Sequence, residues 1–582
     1  MEKTYRTEYP NPQFERKDWI CLNGQWEFEI GESVGKTNCA LRDKIIVPFC
    51  PESELSGVGY RDFIPHCTYS KVIRVGEEDV KGRLALHFGA VDYKAVVYCN
   101  GVEVISHEGG YTPFEVNIAP FVVVGENRIT VCVSDNIHAN VPSGKQSDLK
   151  DSYGCYYTRT TGIWQSVWLE RTPKEYVVWV RFFPDIDSVS VKAEVCVCSD
   201  SVKDLNVEVS YQGKVVGNAK AEIRHRCILE IPLSEKHLWE IDNGRLYDVK
   251  ISFGEDKVYS YFGLREVRYE GMKFLLNGRN VYQRLVLDQG YYKKGIYTAE
   301  TEDELKQDIV LAKKMGFNGS RLHQKLFEPR FLYHCDKMGH IVWGEYASWG
   351  MTYFDLEGMP NFIREWSEAI QRDFNHPSII TWCPLNETWM DFKEGKRVRD
   401  IRFVESLYCV TKALDFTRPC VDVSGGYHGK YTDLYDIHSY YGAKELAEEI
   451  KLLETGVVRF KEGEINAPEY LAEGSEYNGK KPLNISEYGG VSYTADASGW
   501  GYLPAQSEAE FVQGYVERTK ILLDCPLLSG FCYTQLYDVE QEQNGLYTYD
   551  RKIKFSEKAV EEISSCNRSL SAMERLDNKT AI

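Results

Sequence analysis

Hydrophobic and polar positions change period along this chain. From Trp19 to about Glu170 apolar and polar residues alternate over short runs, such as Leu84-Ala85-Leu86-His87-Phe88 and Lys94-Ala95-Val96-Val97-Tyr98-Cys99. Turn signals divide them, among them Asn100-Gly101 and Gly109-Gly110. Asn100-Gly101, between Tyr98 and Val104, predicts a hairpin because both residues tolerate positive φ. Long helical periodicity is absent, so a two-sheet jelly roll is expected over residues 1–172. Residues 173–263 alternate again, in Val189 to Val197 and Leu205 to Ser210. That length and strand size predict an immunoglobulin-like β-sandwich.

After Gly263-Leu264-Arg265-Glu266-Val267 short apolar runs alternate with amphipathic helices, the mark of βα units. A helix is predicted from Thr301 to Lys314, with acids in its first turn, Lys313-Lys314 in its last and Gly316 closing it. Further helices are predicted at Pro329 to Lys337 and Phe362 to Phe374. Strands are expected at Phe274–Leu287, Phe317–His323, Ile341–Glu345, Ile379–Leu385, Cys420–Val423, Leu434–His438, Leu483–Ile485 and Leu528–Thr534. Eight such strands make residues 264–582 a (β/α)8 TIM barrel, with a last helix near Glu557 to Cys566 and a short polar tail read as disordered.

Composition narrows the partners. A net charge of −18 argues against nucleic acid and anionic membrane, and no run reaches transmembrane length. The 17 cysteines form no C-x-x-C pair, and the first residues have no apolar leader segment. Free thiols in a reducing, cytoplasmic compartment are the expectation. The 13% aromatic share suits sugar-stacking surfaces and tyrosine- and tryptophan-rich β cores alike.

The chemistry gathers on two stretches. Asn375-His376-Pro377 ends a helix, the apolar run Ile379 to Leu385 follows, and Asn386-Glu387 closes it. One hundred residues later Leu483-Asn484-Ile485-Ser486-Glu487-Tyr488-Gly489 repeats the design. A carboxylate at the end of a buried strand is costly unless paired or functional. Reactive groups of this barrel lie at the C-terminal strand ends, and Glu387 ends the fourth strand, Glu487 the seventh. Two carboxylates facing across the rim are what glycoside hydrolysis needs, one to protonate the leaving oxygen and one to attack or to activate water.

Several segments resemble glycoside hydrolase family 2: Pro48 to Ser53, Val102 to Phe114, Thr158 to Gln165, and the two stretches above. The resemblance covers nearly the whole chain and implies a retaining exo-glycosidase, with Glu387 as acid/base and Glu487 as nucleophile. It implies that Asn386 binds the sugar 2-hydroxyl, and that Tyr440, with Tyr441 as its rival, hydrogen-bonds the nucleophile. His438 either holds Tyr440 or meets a hydroxyl. Asp288 and Gln289 after the first strand, Arg321 and His323 after the second and Glu345 after the third are further rim candidates. Each also has an ion-pair or hydrogen-bond reading. The segment Thr160 to Gln165 is expected to pin a loop against the next domain, and Trp382 to pack below the site. A homo-oligomer is a further expectation of the resemblance.

Departures from the family pattern bear on substrate. Gly344 to Gly350 lacks the Glu-x-His of magnesium-dependent β-galactosidases, so no catalytic metal and no cofactor are expected. Residues 538–551 carry Glu542-x-Asn544 where β-glucuronidases carry Asn-x-Lys. Glu540 and Glu542 would repel a sugar carboxylate, which favours a neutral sugar with Gln535 turned toward its hydroxyls. The expectation is therefore a β-galactosidase-like enzyme on glycosides or oligosaccharides. An α-L-arabinofuranosidase or β-glucuronidase-type specificity is the same-fold alternative, and a non-catalytic carbohydrate-binding protein is the alternative of another class.

Overall fold

The computed structural model describes residues 4–31, 37–352, 358–388, 391–393, 396–398, 401–425, 428–454, 477, 479–493 and 499–580. For 391–393, 396–398, 454 and 578–580 it describes the backbone alone.

The first region is two facing antiparallel sheets. Trp19–Cys21, Val167–Thr172, Arg83–Phe88 and Phe114–Asn117 form one. The other runs Asp43–Val47, Gly24–Ile30, His66–Val75, Gly125–Ser134, Lys94–Cys99 and Val102–Glu108. Alternation puts Trp26, Phe28, Tyr69, Leu86, Val97 and Val131 between the sheets, all buried. The Asn100-Gly101 hairpin forms as the pattern predicts, with φ of 52° and 84°. A sandwich follows. Tyr176–Asp185, Ser190–Cys198 and Arg226–Pro232 face Lys214–Ile223, Lys203–Tyr211, Tyr247–Phe253 and Asp256–Phe262. Its core of Val, Leu, Ile and Phe holds it without disulfides, since all 17 cysteines are free.

The last region is a barrel of parallel strands: Gln283–Asp288, Gly319–Leu322, Ile341–Glu345, Ile379–Cys383, Val423–Ser424, Tyr435–Ser439, Leu483–Gly489 and Leu528–Thr534. The first strand pairs with the eighth, and the extension Leu385–Asn386 of the fourth pairs with the fifth. Two expectations are corrected. The run Phe274–Leu287 is not one strand. Lys273–Leu276 and Arg279–Asn280 form a hairpin about Asn277-Gly278, at φ of 53° and 74°, beside Val267–Glu270, and the barrel strand starts at Gln283. The polar tail is not disordered over 572–580, where Ala572–Thr580 is a helix. Ser571 and Glu574 cap it reciprocally, and Arg284 donates 2.6 Å to Glu574.

Both β regions hold the barrel rim in place. Asn375 bonds Val180 and Phe182 of the sandwich through its amide at 2.9 Å each, which fixes the chain entering the fourth strand. Arg265 reaches the carbonyls of Pro377 and Ile379 beside it. From the jelly roll, Ser143 and Gly144 donate backbone N–H groups to the Trp349 carbonyl at 2.9 and 3.0 Å. Gly144 sits at φ +61°, and a Cβ there would lie 2.4 Å from the Gln324 carbonyl oxygen, so this contact requires glycine.

Candidate active site

The strand ends converge on one buried cluster. Arg321, fully buried at the end of the second strand, is its hub. Its Nε donates to Glu345 at 2.5 Å, Nη1 to Glu487 at 2.8 Å and Nη2 to the Asn386 side-chain oxygen at 2.6 Å. One planar fork thus ties the second, third, fourth and seventh strands together. The other oxygen of Glu345 lies 3.1 Å from His323 Nδ1 and accepts the Gln324 N–H at 3.0 Å. Burial, with Lys145 and Arg321 nearby, pushes His323 well below the ordinary imidazole value.

Glu487 and Glu387 face one another. An oxygen of each and a ring nitrogen of His438 all lie within 4.8 Å of one another. His438 Nδ1 is 2.7 Å from Glu387 and 3.4 Å from Glu487. Its Nε2 lies 2.9 Å from the Ser424 hydroxyl and 3.1 Å from that of Ser486. Tyr440, not its neighbour Tyr441, donates its hydroxyl to Glu487, and its ring stacks on Tyr502 at 3.6 Å. Burial alone would raise the Glu487 carboxyl, but His438, Arg321, Lys145 and the Tyr440 hydroxyl outweigh it and hold the group below the usual glutamate value. Burial opposes charge on His438, and the two glutamates overcome it, raising the imidazole. Glu387 itself sits at φ 50°, a left-handed conformation costing about 1–3 kcal/mol for a non-glycine residue. Its N–H donates 2.8 Å to Ser424. Three donors so close can hold a metal ion in principle, but Arg321 on Glu487 already supplies the positive charge such an ion would bring.

The remaining rim candidates divide into two groups. Gln289 donates 2.8 Å to Gln535, Gln535 donates 2.7 Å to Asn544, and Asn544 donates 3.0 Å to Glu542. Tyr157 of the jelly roll closes this chain with a 2.5 Å bond to Glu542. Asp288 stands apart. It accepts from Tyr537 at 2.6 Å and from Gly290, and burial pushes its carboxyl up to about 7. The amide nitrogen of Asn386 and the amide oxygen of Gln289 are buried without a partner among the described residues. Trp382 bonds Asp415 at 2.8 Å within the core, as expected.

Three family models match the chain in succession. Those described as the family 2 glycosyl hydrolase sugar-binding domain, family 2 itself and the family 2 TIM barrel cover residues 52–173, 175–265 and 267–518. The chain belongs to glycoside hydrolase family 2. Among curated proteins, this family 2 chain is 25% identical over 405 residues to a β-glucuronidase of Streptococcus agalactiae, covering 63% of this chain and 66% of that protein. It is 25% identical over 424 residues to the mouse β-glucuronidase, covering 66% and 63%. The matches thus span just under two thirds of those relatives' length. A solved β-glucuronidase of Ruminococcus gnavus in complex with D-glucuronic acid has the same fold, with a TM-score of 0.77 at 20% identity, over 97% of this chain and 100% of that one.

Strand-end reasoning could not find what the jelly roll brings to this family 2 site. Tyr157 and Lys145 come from loops between jelly-roll strands, and Trp349 from a loop after the third barrel strand. Tyr156 packs on Trp349 at 5.4 Å, and Trp349 Nε1 donates 3.1 Å to the Asn386 carbonyl. The segment Thr160 to Gln165 meets the barrel through Trp164, whose carbonyl accepts the Thr298 hydroxyl and whose ring lies 5.2 Å from that of Tyr297. Just before it Thr158 donates its hydroxyl 2.6 Å to Glu540. The one signal for Lys145 was the Pro142-Ser143-Gly144 turn before it, which carries no periodicity.

Among the described residues no helix is long and apolar enough to cross a membrane.

Proposed function

We propose that this chain is a retaining exo-glycosidase of β-glucuronidase type, with Glu487 as nucleophile and Glu387 as acid/base. The observation that carries the mechanism is the approach of the two carboxyl groups, with oxygens within 4.8 Å. Retaining enzymes hold their carboxyl groups about 5–5.5 Å apart, and inverting ones leave about 6.5–9.5 Å for a water. The environments support these roles. Arg321 and Tyr440 both donate to Glu487, which favours an ionised group poised to attack the anomeric carbon. Glu387 gives its proton to the leaving oxygen as the C1–O bond breaks, then takes one from the water that releases the sugar from Glu487. Asn386, fixed by Arg321, holds the sugar 2-hydroxyl.

The neutral-sugar, β-galactosidase-like reading is set aside. Its argument was repulsion by Glu540 and Glu542. In the structure each is engaged from the jelly roll, Glu540 by Thr158 and Glu542 by Tyr157, and buried Lys145 acts electrostatically on Glu542. The relatives named above point the same way. A panel of 4-nitrophenyl β-glucuronide, galactoside, glucoside, mannoside and α-arabinofuranoside tests the reading. The glucuronide should give the highest kcat/KM, and Glu487→Gln should lower its kcat at least a thousandfold with the fold intact. Faster cleavage of any neutral member sinks the specificity, and full activity of Glu487→Gln sinks the mechanism.

A further inference from the structure

Lys145 has no direct ion-pair partner among the described residues. It is only 6% exposed, yet among the described residues no carboxylate lies within ion-pair distance of its Nζ and no acceptor within hydrogen-bond distance. Its nitrogen lies 5.5 Å from the centre of the Trp349 ring and 5.7 Å from that of Tyr157. Those two rings locate it. Trp349 bonds the carbonyl of Asn386, the residue before Glu387, and the Tyr157 hydroxyl bonds Glu542. The nitrogen therefore lies between the carboxylate pair and the segment after the eighth strand.

The loop that carries it is fixed. The Lys145 carbonyl accepts the Tyr157 N–H at 2.8 Å, and the two preceding residues are bonded to Trp349. Gly144 packs against Gln324 too closely for a side chain, and Tyr111 donates 2.9 Å to Ser143. Burying an ammonium this way costs several kcal/mol unless something compensates it. Burial pulls Lys145 down, but Glu542 first, then Cys155, Glu487 and Glu387, outweigh it and raise the amine above its ordinary value, hence charged. Two of those carboxylates have other partners at closer range. Tyr157 and Asn544 hold Glu542, and Arg321 and Tyr440 hold Glu487.

We infer that Lys145 receives the carboxylate of a uronic-acid substrate, so that the jelly roll supplies the cation the Glu542-x-Asn544 motif lacks. This rests on the β-glucuronidase reading above and assigns the residue that would enforce it. A single compact ammonium charge suits a carboxylate, and the two rings beneath it offer apolar faces to the sugar body. Lys145 is a specificity residue here, distinct from the groups that break the bond.

The test is the ratio of kcat/KM for 4-nitrophenyl β-D-glucuronide to that for the β-D-glucoside, which differ only at C6. Any effect of Lys145 on Glu487 is common to both substrates and cancels in the ratio. Lys145→Met should lower the ratio about a hundredfold, the scale for truncating one partner of a buried charge pair. Lys145→Arg should recover part of it. A ratio within threefold of wild type in Lys145→Met overturns the inference and leaves the β-glucuronidase reading standing. A wild type that cleaves the glucoside but not the glucuronide overturns both. Should Lys145→Met not fold, wild-type inhibition decides. D-glucuronate should inhibit at least tenfold more tightly than its methyl ester, and equal inhibition refutes carboxylate recognition.

Discussion

Replacing Arg321 with methionine is the sharpest test of how this site is held. The guanidinium makes bonds of 2.5, 2.8 and 2.6 Å to Glu345, Glu487 and Asn386, and the two carboxylate side chains are 1% and 7% exposed. Removing one partner of a buried pair costs about 3–5 kcal/mol, because the other charge stays behind. Two carboxylates are left here, but each keeps other donors. His323 and the Gln324 N–H remain at Glu345, while Tyr440 and His438 remain at Glu487. The expected loss is therefore about 3–5 kcal/mol, not twice that. Its pH dependence carries the argument. Glu487 is held below the ordinary glutamate value, so its stabilising contribution is present above about pH 4.3 and is lost as pH falls through the lowered value. Without Arg321 that depression shrinks, and the difference between variant and wild type should be largest at neutral pH and fall away only as pH drops below the lowered value. Urea unfolding of the barrel, followed by tryptophan fluorescence at pH 7 and at an acid pH below that value, measures it. The acid limb of kcat/KM should also move up. An unfolding midpoint unchanged at pH 7, or shifted equally at both pH values, would refute the electrostatic account.

Three other perturbations follow from the same geometry. His438→Gln removes the main group that depresses Glu487. The acid limb of the pH–rate profile should move to higher pH, and an unmoved limb would contradict the assignment. Glu365 is buried between Tyr93 and Tyr346, whose hydroxyls lie 2.7 and 2.6 Å away, and burial pushes it up to about 7. A folded value raised from 4.5 to about 7 means stability present below pH 4.5 and lost as pH rises toward 7, about 3 kcal/mol in all. Glu365→Gln should therefore melt higher than wild type at pH 8 and no higher at pH 4, which thermal scans at the two pH values check. Gly144→Ala places a Cβ 2.4 Å from the Gln324 oxygen at φ +61°. It should cost about 1–3 kcal/mol and lower glucuronide kcat/KM by displacing Lys145, and an alanine variant with wild-type kinetics would show the loop to be slack.

The barrel was legible because its strands are buried on both faces and read as short apolar runs, and because Glu387 and Glu487 interrupt such runs. Tyr440 and Tyr441 were inseparable by pattern. They follow a strand ending at Ser439, and only the path of the chain there decides which hydroxyl meets Glu487. The hairpin at 273–280 was hidden within an apolar stretch although Asn277-Gly278 marked it, since the run was read by hydrophobicity before turn chemistry. The helix at Ala572–Thr580 was missed for the opposite reason. Its capping box Ser571-Ala572-Met573-Glu574 is local, but its anchor, Arg284, is almost 300 residues away. Lys145 left no local signal. Its meaning lies in which loop of one domain touches which rim of another.

That last dependence bears on why the β regions accompany the barrel. The barrel's own strands place Arg321, Glu345, Asn386, Glu387, His438 and Glu487, which suffices for the double displacement proposed above. The cation that would select a charged sugar, the Tyr157 hydroxyl on Glu542 and the Thr158 contact with Glu540 all come from the jelly roll. On the proposed reading, chemistry and specificity are divided between two folded units that meet, among other contacts, at Trp349. Its carbonyl receives the jelly-roll loop, and its indole N–H bonds the backbone carbonyl of Asn386. A change in the jelly-roll loop can then alter which sugar is accepted while Glu387 and Glu487 stay in register, because no hydrogen bond from that loop reaches either carboxylate among the described residues.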